Sequence, residues 1–588
     1  MKSNIIIKGF AGLLATAAIA TSMTSCKDDY LDLTPITDAS ASTVSSSLVG
    51  AHAAMVGLCN GMYRDCDYGF NGPNGEPWLL TFFAEAKGNA CLQGLWTLSS
   101  MGTNYVNWRY LNENAAVYPA YMWRYCYNLI DDANNLLAIV EDMEVADEEI
   151  DEKDFIEAVA LTIRAHGYIR LLQTYAPRWD DSNNGSAYCV ILRTEPSTVE
   201  NVNKDFSTMG EVLAQIYSDL DDAIDIFENS SYSRGNSVWM PNEDVARGLY
   251  ARAAMLKNDY ATAIEMAEAA MAGYPLMSAD EYRSGFVYAN SEYLWATDLE
   301  AQDVGQYCWG NWQAFNGQYT GRFGLGDSMD YTLYKNLAMT DCRKYLYFMP
   351  ELMELIPEFA ATFGITPEDF FISIDNGGIA DPDNMVIWAD GGASIPDFGG
   401  YDAYYMANYY AFGWMEEFGS ALVYYDESLT DPYTYIDPRF GLGFKFWGEG
   451  NYAYNNFPFM RASELGYYVA EAQYMLGNTT AAQEMMNYLN KGVRDPEYDC
   501  TLTGEELLAH IKAYREIELW DEGFNWFDMK RWGDDLIRNV WEEGNPESGN
   551  WGADAASYTA SEFAGWRYQV PETEFLYNKG ADPLKVQY

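Results

Sequence analysis

The sequence predicts a mostly α-helical protein in which discontinuous helical repeats support a loop-rich, aromatic-rich half with few short strands. Three observations carry this reading. Apolar residues recur at helical spacing over Ala115–Val140, Asp154–Tyr175 and Met209–Phe227. Two helix–turn–helix units follow, at Asp244–Pro275 and Ser463–Arg494. The stretches Phe70–Arg109, Gln302–Asp327 and Met339–Asn456 are full of Gly, Asn, Trp and Tyr and show little periodicity. Long ordered loops of that kind often carry function.

Each element has its own signal. In the second helix Ile156, Val159, Ile163, Gly167, Ile169 and Leu171 trace a stripe, and Pro177 ends it. In the third, Val212, Ile216, Leu220, Ala223 and Ile224 line one face. In the first repeat unit Val245, Leu249, Ala253 and Leu256 line one helix. Asn258 and Asp259 turn the chain, and Tyr260, Ala263, Ile264, Ala267 and Met271 line the next helix. Small residues at the contact and a closing proline match the tetratricopeptide helix pair. The second unit lies far along the chain, so the solenoid is assembled from separated pieces. Short strands are expected at Tyr293–Thr297 and Leu442–Phe446.

Near the C-terminus Ile511–Trp532 reads IKAYREIELWDEGFNWFDMKRW. Leu507, Ile511, Tyr514 and Ile517 form a helical stripe. Arg515 and Glu518, three residues apart, are placed to pair on one face. Gly523 reads as a helix stop needing positive φ. Phe524, Trp526, Phe527, Met529 and Trp532 form an aromatic knot to be buried, punctuated by Asp528, Lys530 and Arg531.

The chain has 588 residues and a formal net charge of −52. It is long enough to bury a sizeable core. The acidity argues against nucleic acid or an anionic membrane surface, which need basic patches. Aromatic residues make up 16% of the chain, with 47 Tyr and 18 Trp. That surplus is the residue type that stacks on flat ligands, sugar rings among them.

Residues 1–25 read as a targeting segment. Lys2 and Lys8 flank the n-region, and Gly9–Ala20 is an apolar stretch too short to span a bilayer. Small residues lead to Cys26, which is expected to be lipidated, although Met23 and Ser25 depart from the usual residues before such a cysteine. Acyl chains there would hold the protein at a membrane. The Ser/Thr-rich tract to Ser47 reads as a flexible tether, and residues 48–588 as a single domain. No Cys-x-x-Cys pair exists among the other eight cysteines. Cys59 and Cys66 are the nearest disulfide candidates, and buried free thiols are the general expectation.

The catalytic inventory is thin. His52, His166 and His510 are the only histidines and show no zinc-hydrolase spacing. No Gly-x-Ser-x-Gly elbow, Walker loop or dinucleotide loop is present. A glycosidase needs only two carboxylates at the right separation, and 87 acidic residues leave that open. No cofactor or metal is predicted; a structural calcium ion is compatible with the sequence.

Several motifs together resemble the SusD/RagB family of Bacteroidetes outer-membrane lipoproteins. The C-terminal signature of that family is similar to Arg515, Glu518, Leu519, Glu522, Gly523, Trp526, Phe527, Asp528, Arg531 and Trp532, with Asn525 where Arg is more usual. Asn290–Asp298, the Asp341–Cys342–Arg343 turn, and Phe459, Arg461, Ala462 and Glu464 resemble other family segments in order. So do Leu489, Asn490 and Arg494, and the terminal Pro571, Glu574 and Asn578. Lys27, Asp28 and Asp29 after the cysteine resemble a surface-export tag. The likeness spans Cys26 to Tyr588. It implies helical repeats over about 115–275 and 461–532, and binding insertions over about 70–110 and 280–460.

The resemblance further implies a non-enzymatic, outward-facing, outer-membrane glycan-binding lipoprotein. It would deliver oligo- or polysaccharide to a TonB-dependent transporter of the SusC type. Ligand-facing candidates from the insertions are Trp78, Trp96, Trp108, Trp309, Trp312 and Tyr319, with Asn104, Arg109, Asn311 and Gln313 as polar partners. Trp295, Trp526 and Trp532 are assigned to the core. The alternatives are a peptide-binding RagB-like protein and a glycoside hydrolase.

Overall fold

The computed structural model describes residues 47–62, 75–80, 91–92, 117–283, 286–298, 328–338, 340–346, 445–446, 456–540, 549, 551 and 557–587. The chain opens with α1 (Leu48–Gly61), capped by the Ser47 hydroxyl, which accepts from the Gly50 amide at 3.1 Å. A single turn, α2 (Glu76–Trp78), and strand β1 (Cys91–Leu92) follow. Two long helices come next, α3 (Val117–Glu141) and α4 (Ile150–Tyr175). From Phe155 onward α4 is almost wholly buried, and its buried Arg164, His166 and Arg170 are met by carboxylates of other segments. A hairpin-like pair, β2 (Tyr188–Val190) and β3 (Ser207–Thr208), leads into α5 (Met209–Asn229). Thr208 and Glu211 form a capping box at its start.

The first repeat unit is α6 (Glu243–Leu256) and α7 (Tyr260–Met271), with the Asn242 side chain accepting from the Val245 amide. A short α8 (Ala279–Arg283), strands β4 (Tyr293–Ala296) and β5 (Ser328–Met329), and α9 (Tyr331–Tyr334) come next. Strand β6 (Pro458–Arg461) opens the second unit, α10 (Ala462–Met475) and α11 (Thr479–Asn490). The signature region holds α12 (Gly504–Glu518) and α13 (Asn525–Trp532), and α14 (Glu572–Tyr577) lies near the end.

Helices pack in sequence order: α3 on α4, α4 on α5, α5 on α6, α6 on α7. Then α7 packs on α10, which carries α11 and α12. The two repeat units are therefore neighbours in space although the insertions separate them in sequence. Glycine sets two of these crossings. A Cβ on Gly167 would lie 2.9 Å from Ile130 of α3, and one on Gly466 would lie 2.6 Å from Leu489 of α11. Close approach gains the many small dispersion contacts of a packed interior.

Two features differ from the sequence reading. Lys445 and Phe446 are not in a strand; the partner of β4 is β6, antiparallel with Tyr293 opposite Arg461. A short apolar run becomes a strand only where a partner edge exists, and β4 offers its edge to Pro458–Arg461. Helix α12 ends at Glu518, before Gly523. The chain turns there through positive φ at both Asp521 (58°) and Gly523 (82°). A Cβ on Gly523 would also lie 2.5 Å from Leu80, so this glycine admits the α2 segment against the signature.

Candidate functional site

A buried charged network lies where the insertions leave the helical frame. Glu518 accepts from Arg343 Nη1 at 2.9 Å, Arg461 Nη1 at 2.8 Å and Arg494 Nη2 at 3.0 Å. Glu292 accepts from Arg461 at 2.7 Å and Arg494 at 3.2 Å. Glu522 accepts from Arg461 and Lys445, and Arg343 is clamped by Asp341 at 2.7 Å. None of these side chains is more than 2% exposed. Four carboxylates thus face four cations, which is what makes their burial tolerable.

Burial alone would raise the Glu518 carboxyl, but Arg494, Arg461 and Arg343 outweigh it and hold it well below the usual carboxylate range. Burial moves Lys445 the other way, down to about 8, with Glu522 only partly offsetting it. The positions of these groups along the chain are informative. Glu292 precedes β4, and Arg461 ends β6. Asp341 and Arg343 stand before residues 347–444, and Lys445 stands directly after them. The network therefore fixes the points from which the long insertions depart.

The pairing expected within α12 does not form. Arg515 Nε donates to Asp528 of α13 at 2.7 Å, and its guanidinium lies over the Tyr468 ring at 4.1 Å. Glu518 turns instead to the three arginines of other segments. Spacing puts both residues within reach of each other, but the stronger fields of their tertiary partners decide the pairing.

A second buried constellation holds the α2 segment. Glu76 accepts from Tyr125 Oη at 2.7 Å, Arg170 Nε at 2.8 Å and His166 Nε2 at 2.8 Å. Its own amide donates to Met62 O at 2.7 Å. Burial would raise the Glu76 carboxyl, but His166 and Arg170 pull it well below its ordinary value. Burial also lowers His166, with Glu76 only partly offsetting it, and Nε2 donates to the carboxylate. Its Nδ1 makes no hydrogen bond among the described residues. His166 is thus a packed histidine edge-on to Trp295, at 5.1 Å between rings.

Trp78 is placed by its backbone in α2, held by this constellation. Trp96, Asn104, Trp108, Arg109, Trp309, Asn311, Trp312, Gln313 and Tyr319 lie outside the described residues, as does Cys26. The core assignments stand for Trp295 and Trp526, both fully buried, with indole N–H groups donating to the Trp239 and Trp566 carbonyls. Trp532 is only half-buried and donates to Glu471 at 3.1 Å. Cys59 is a free buried thiol, not half of a disulfide. The sequence reading missed Glu76, Glu292 and Lys445. Each is a lone charge inside an apolar string, in GEPWLL, SEYLWA and FGLGFKFW, and that isolation is the signal that marks a buried ion pair.

Among the described residues no helix is long and apolar enough to cross a membrane, and no cluster of His, Cys, Asp and Glu has metal-site geometry. Among the described residues, helical repeats, a buried charged network that ties distant segments together, and scarce short strands define a helical-scaffold protein.

Comparison with known proteins agrees with that class. A model described as the SusD family matches residues 401–581, and one described as "Starch-binding associating with outer membrane" matches residues 76–255. A SusD-like carbohydrate binding protein from Bacteroides vulgatus superposes with a TM-score of 0.62 at 19% identity, covering 91% of this chain and 97% of its own. A putative sugar binding protein from the same organism gives 0.61 at 18%, covering 91% and 98%. A SusD superfamily protein from Bacteroides thetaiotaomicron gives 0.59 at 18%, covering 91% and 99%. At such identities these structures establish the fold. A search of curated proteins finds no match. With both family models matched, the chain belongs to the SusD/RagB family.

Proposed function

We propose that this protein is a lipid-anchored, outward-facing glycan-binding protein of the outer membrane, without enzymatic activity, that passes oligo- or polysaccharide to a SusC-like TonB-dependent transporter. The observation that carries this reading is the match of the starch-binding, outer-membrane model to residues 76–255. That span includes Trp78, Trp96 and Trp108. Aromatic faces stack on sugar C–H faces, worth roughly 1 kcal/mol per good platform beyond area burial. Asn104, Arg109, Asn311 and Gln313 would meet the hydroxyls. Several weak platforms on one surface favour long ligands, because adjacent contacts act together. Cys26 would carry the acyl anchor.

The test is affinity electrophoresis of the soluble chain from Asp28 onward against starch, levan, xylan, mannan, pectins and mucin glycans, with Trp96→Ala and Trp312→Ala variants. Retardation by one polysaccharide, weakened in a variant and without release of reducing ends, is the expected result. Retardation by none of them would overturn the glycan reading and favour a peptide ligand.

A further inference from the structure

A groove of about 750 Å³ lies on the helical half. Its walls are the turn after α4, Gly533 beyond α13, the Ala560–Phe563 turn and the C-terminal Lys585–Gln587 stretch. No lining residue falls within 70–110 or 280–460. The volume is in the ~300–1,000 Å³ range of small-molecule sites.

The charges around it are held as donor–acceptor pairs. Arg178 Nε lies 2.9 Å from Asp181, its Nη2 donates to Asp180 at 3.2 Å, and its Nη1 donates to Trp532 O at 3.1 Å. Lys585 Nζ donates to Asp205 at 2.7 Å, and Arg567 Nε to Ala564 O at 2.9 Å. Arg178 and Lys585 are therefore set against Asp180, Asp181 and Asp205, and Arg567 against a backbone carbonyl; of these acids Asp181 lines the groove. An anion entering here would meet the Asp181 carboxylate, and a cation would meet guanidinium groups. A neutral polyhydroxylated ligand can both donate to the acids and accept from the bases.

The groove also has an aromatic surface. Tyr188 lines it and is 38% exposed. Lys585 Nζ sits 4.1 Å from its ring centroid and steadies the ring from one side. The wall is built for this arrangement at Gly533, whose φ is 75°. A Cβ there would overlap the Arg178 guanidinium. Ala564, Gly565 and Trp566 all have positive φ, a conformation costly for two of the three and kept only where the surroundings impose it.

We propose that this groove is a second carbohydrate site that takes a short neutral oligosaccharide, with Tyr188 as the stacking platform and the Arg178–Asp181 and Lys585–Asp205 pairs as hydroxyl partners. The inference rests on the proposed function only in taking the ligand to be a glycan. Such a site would hold a second stretch of a long chain, or a second chain, on the helical face.

The test is isothermal titration of the Trp96→Ala/Trp312→Ala protein with maltotriose, cellotriose, xylotriose, mannotriose and, as the acidic probe, trigalacturonate. At least one neutral trisaccharide is expected to bind. Tyr188→Ala should weaken it roughly tenfold, the loss of one good stacking contact. Ser561→Trp, at an exposed position on the rim, should abolish it by filling the groove, with the thermal unfolding midpoint unchanged. No heat with any neutral trisaccharide, binding of trigalacturonate alone, or neutral binding untouched by both groove variants would each overturn the proposal. Failure here leaves the polysaccharide retardation of the wild type intact. Failure of the insertion site would appear as retardation that survives Trp96→Ala and Trp312→Ala.

Discussion

Arg461 holds Glu518 twice: Nη1 donates to the carboxylate at 2.8 Å and Nη2 to the backbone carbonyl at 2.6 Å. One arginine at the end of β6 thus fixes both the side chain and the last turn of α12. Because Arg461 also reaches Glu292 and Glu522, the strand pair, the second repeat unit and the signature share one charged centre.

Removing one charge from that centre should cost far more than a surface pair would. In Glu518→Gln three buried guanidinium groups lose their common counter-ion. Breaking a buried pair from one side costs about 3–5 kcal/mol. The midpoint of urea unfolding is expected to fall accordingly, whereas removing an exposed partner, as in Asp499→Asn beside Lys491, should change the unfolding free energy by less than about 1 kcal/mol. Equal midpoints for the two variants would contradict a central role for Glu518.

Lys445 gives the network a pH dependence of predictable sign. Its folded-state value is about 8, below the ordinary 10.5, because it is buried. Between these values the unfolded chain holds a proton that the folded chain has released, so stability rises with pH across that window. Lys445→Met should remove this rise. Urea midpoints at pH 7.5 and 10 in both proteins provide the check, and a wild-type slope no steeper than that of the variant would count against it.

Glu76 predicts the acid limb. Its folded-state value lies well below 4.5, so its contribution is present at neutral pH and is lost as pH falls below that value. Glu76→Gln keeps the shape but leaves Arg170 without its carboxylate. Stability at pH 7 should fall by about 3–5 kcal/mol, with a flatter decline below pH 4.5. Amide exchange of residues 75–80 should quicken more than that of α5, which the constellation does not touch. Uniform acceleration across both would refute a local anchoring role.

Gly466→Ala tests the repeat crossing. The added methyl would press on Leu489 at 2.6 Å, and overpacking a core costs about 1–3 kcal/mol. The loss should shrink when Leu489→Ala is combined with it, giving a clearly non-additive double-mutant cycle. Strict additivity would show that the two residues do not share the contact.

Much of the frame was legible along the chain. The stripe from Ile156 to Leu171 and the small residues of Val245–Met271 lie in helices whose ends fall within a few residues of the expected ones. The pairing of Arg515 with Glu518 was not legible. Spacing says who can meet within a helix, and Asp528 and Arg461 arrive from elsewhere. The strand at Pro458–Arg461 was hidden for a related reason. Four residues, three of them apolar, carry no periodicity of their own, and the edge of β4 decides their state. Of the ligand candidates, the structure places only Trp78, and only by its backbone.

Local sequence sets the helices, their caps and the family signature, because these depend on neighbours within a few residues. It also sets the aromatic share of the chain, 16%. Which of the many carboxylates are buried, and which cation answers each, is settled by packing between distant segments. Glu76 meets Arg170, and Glu292, Glu518 and Glu522 share Arg461, Arg494, Arg343 and Lys445 across segments far apart in the chain. Burial of a charge is set by what folds over it and by whether an opposite charge comes with the cover, and neither is a local property of the sequence.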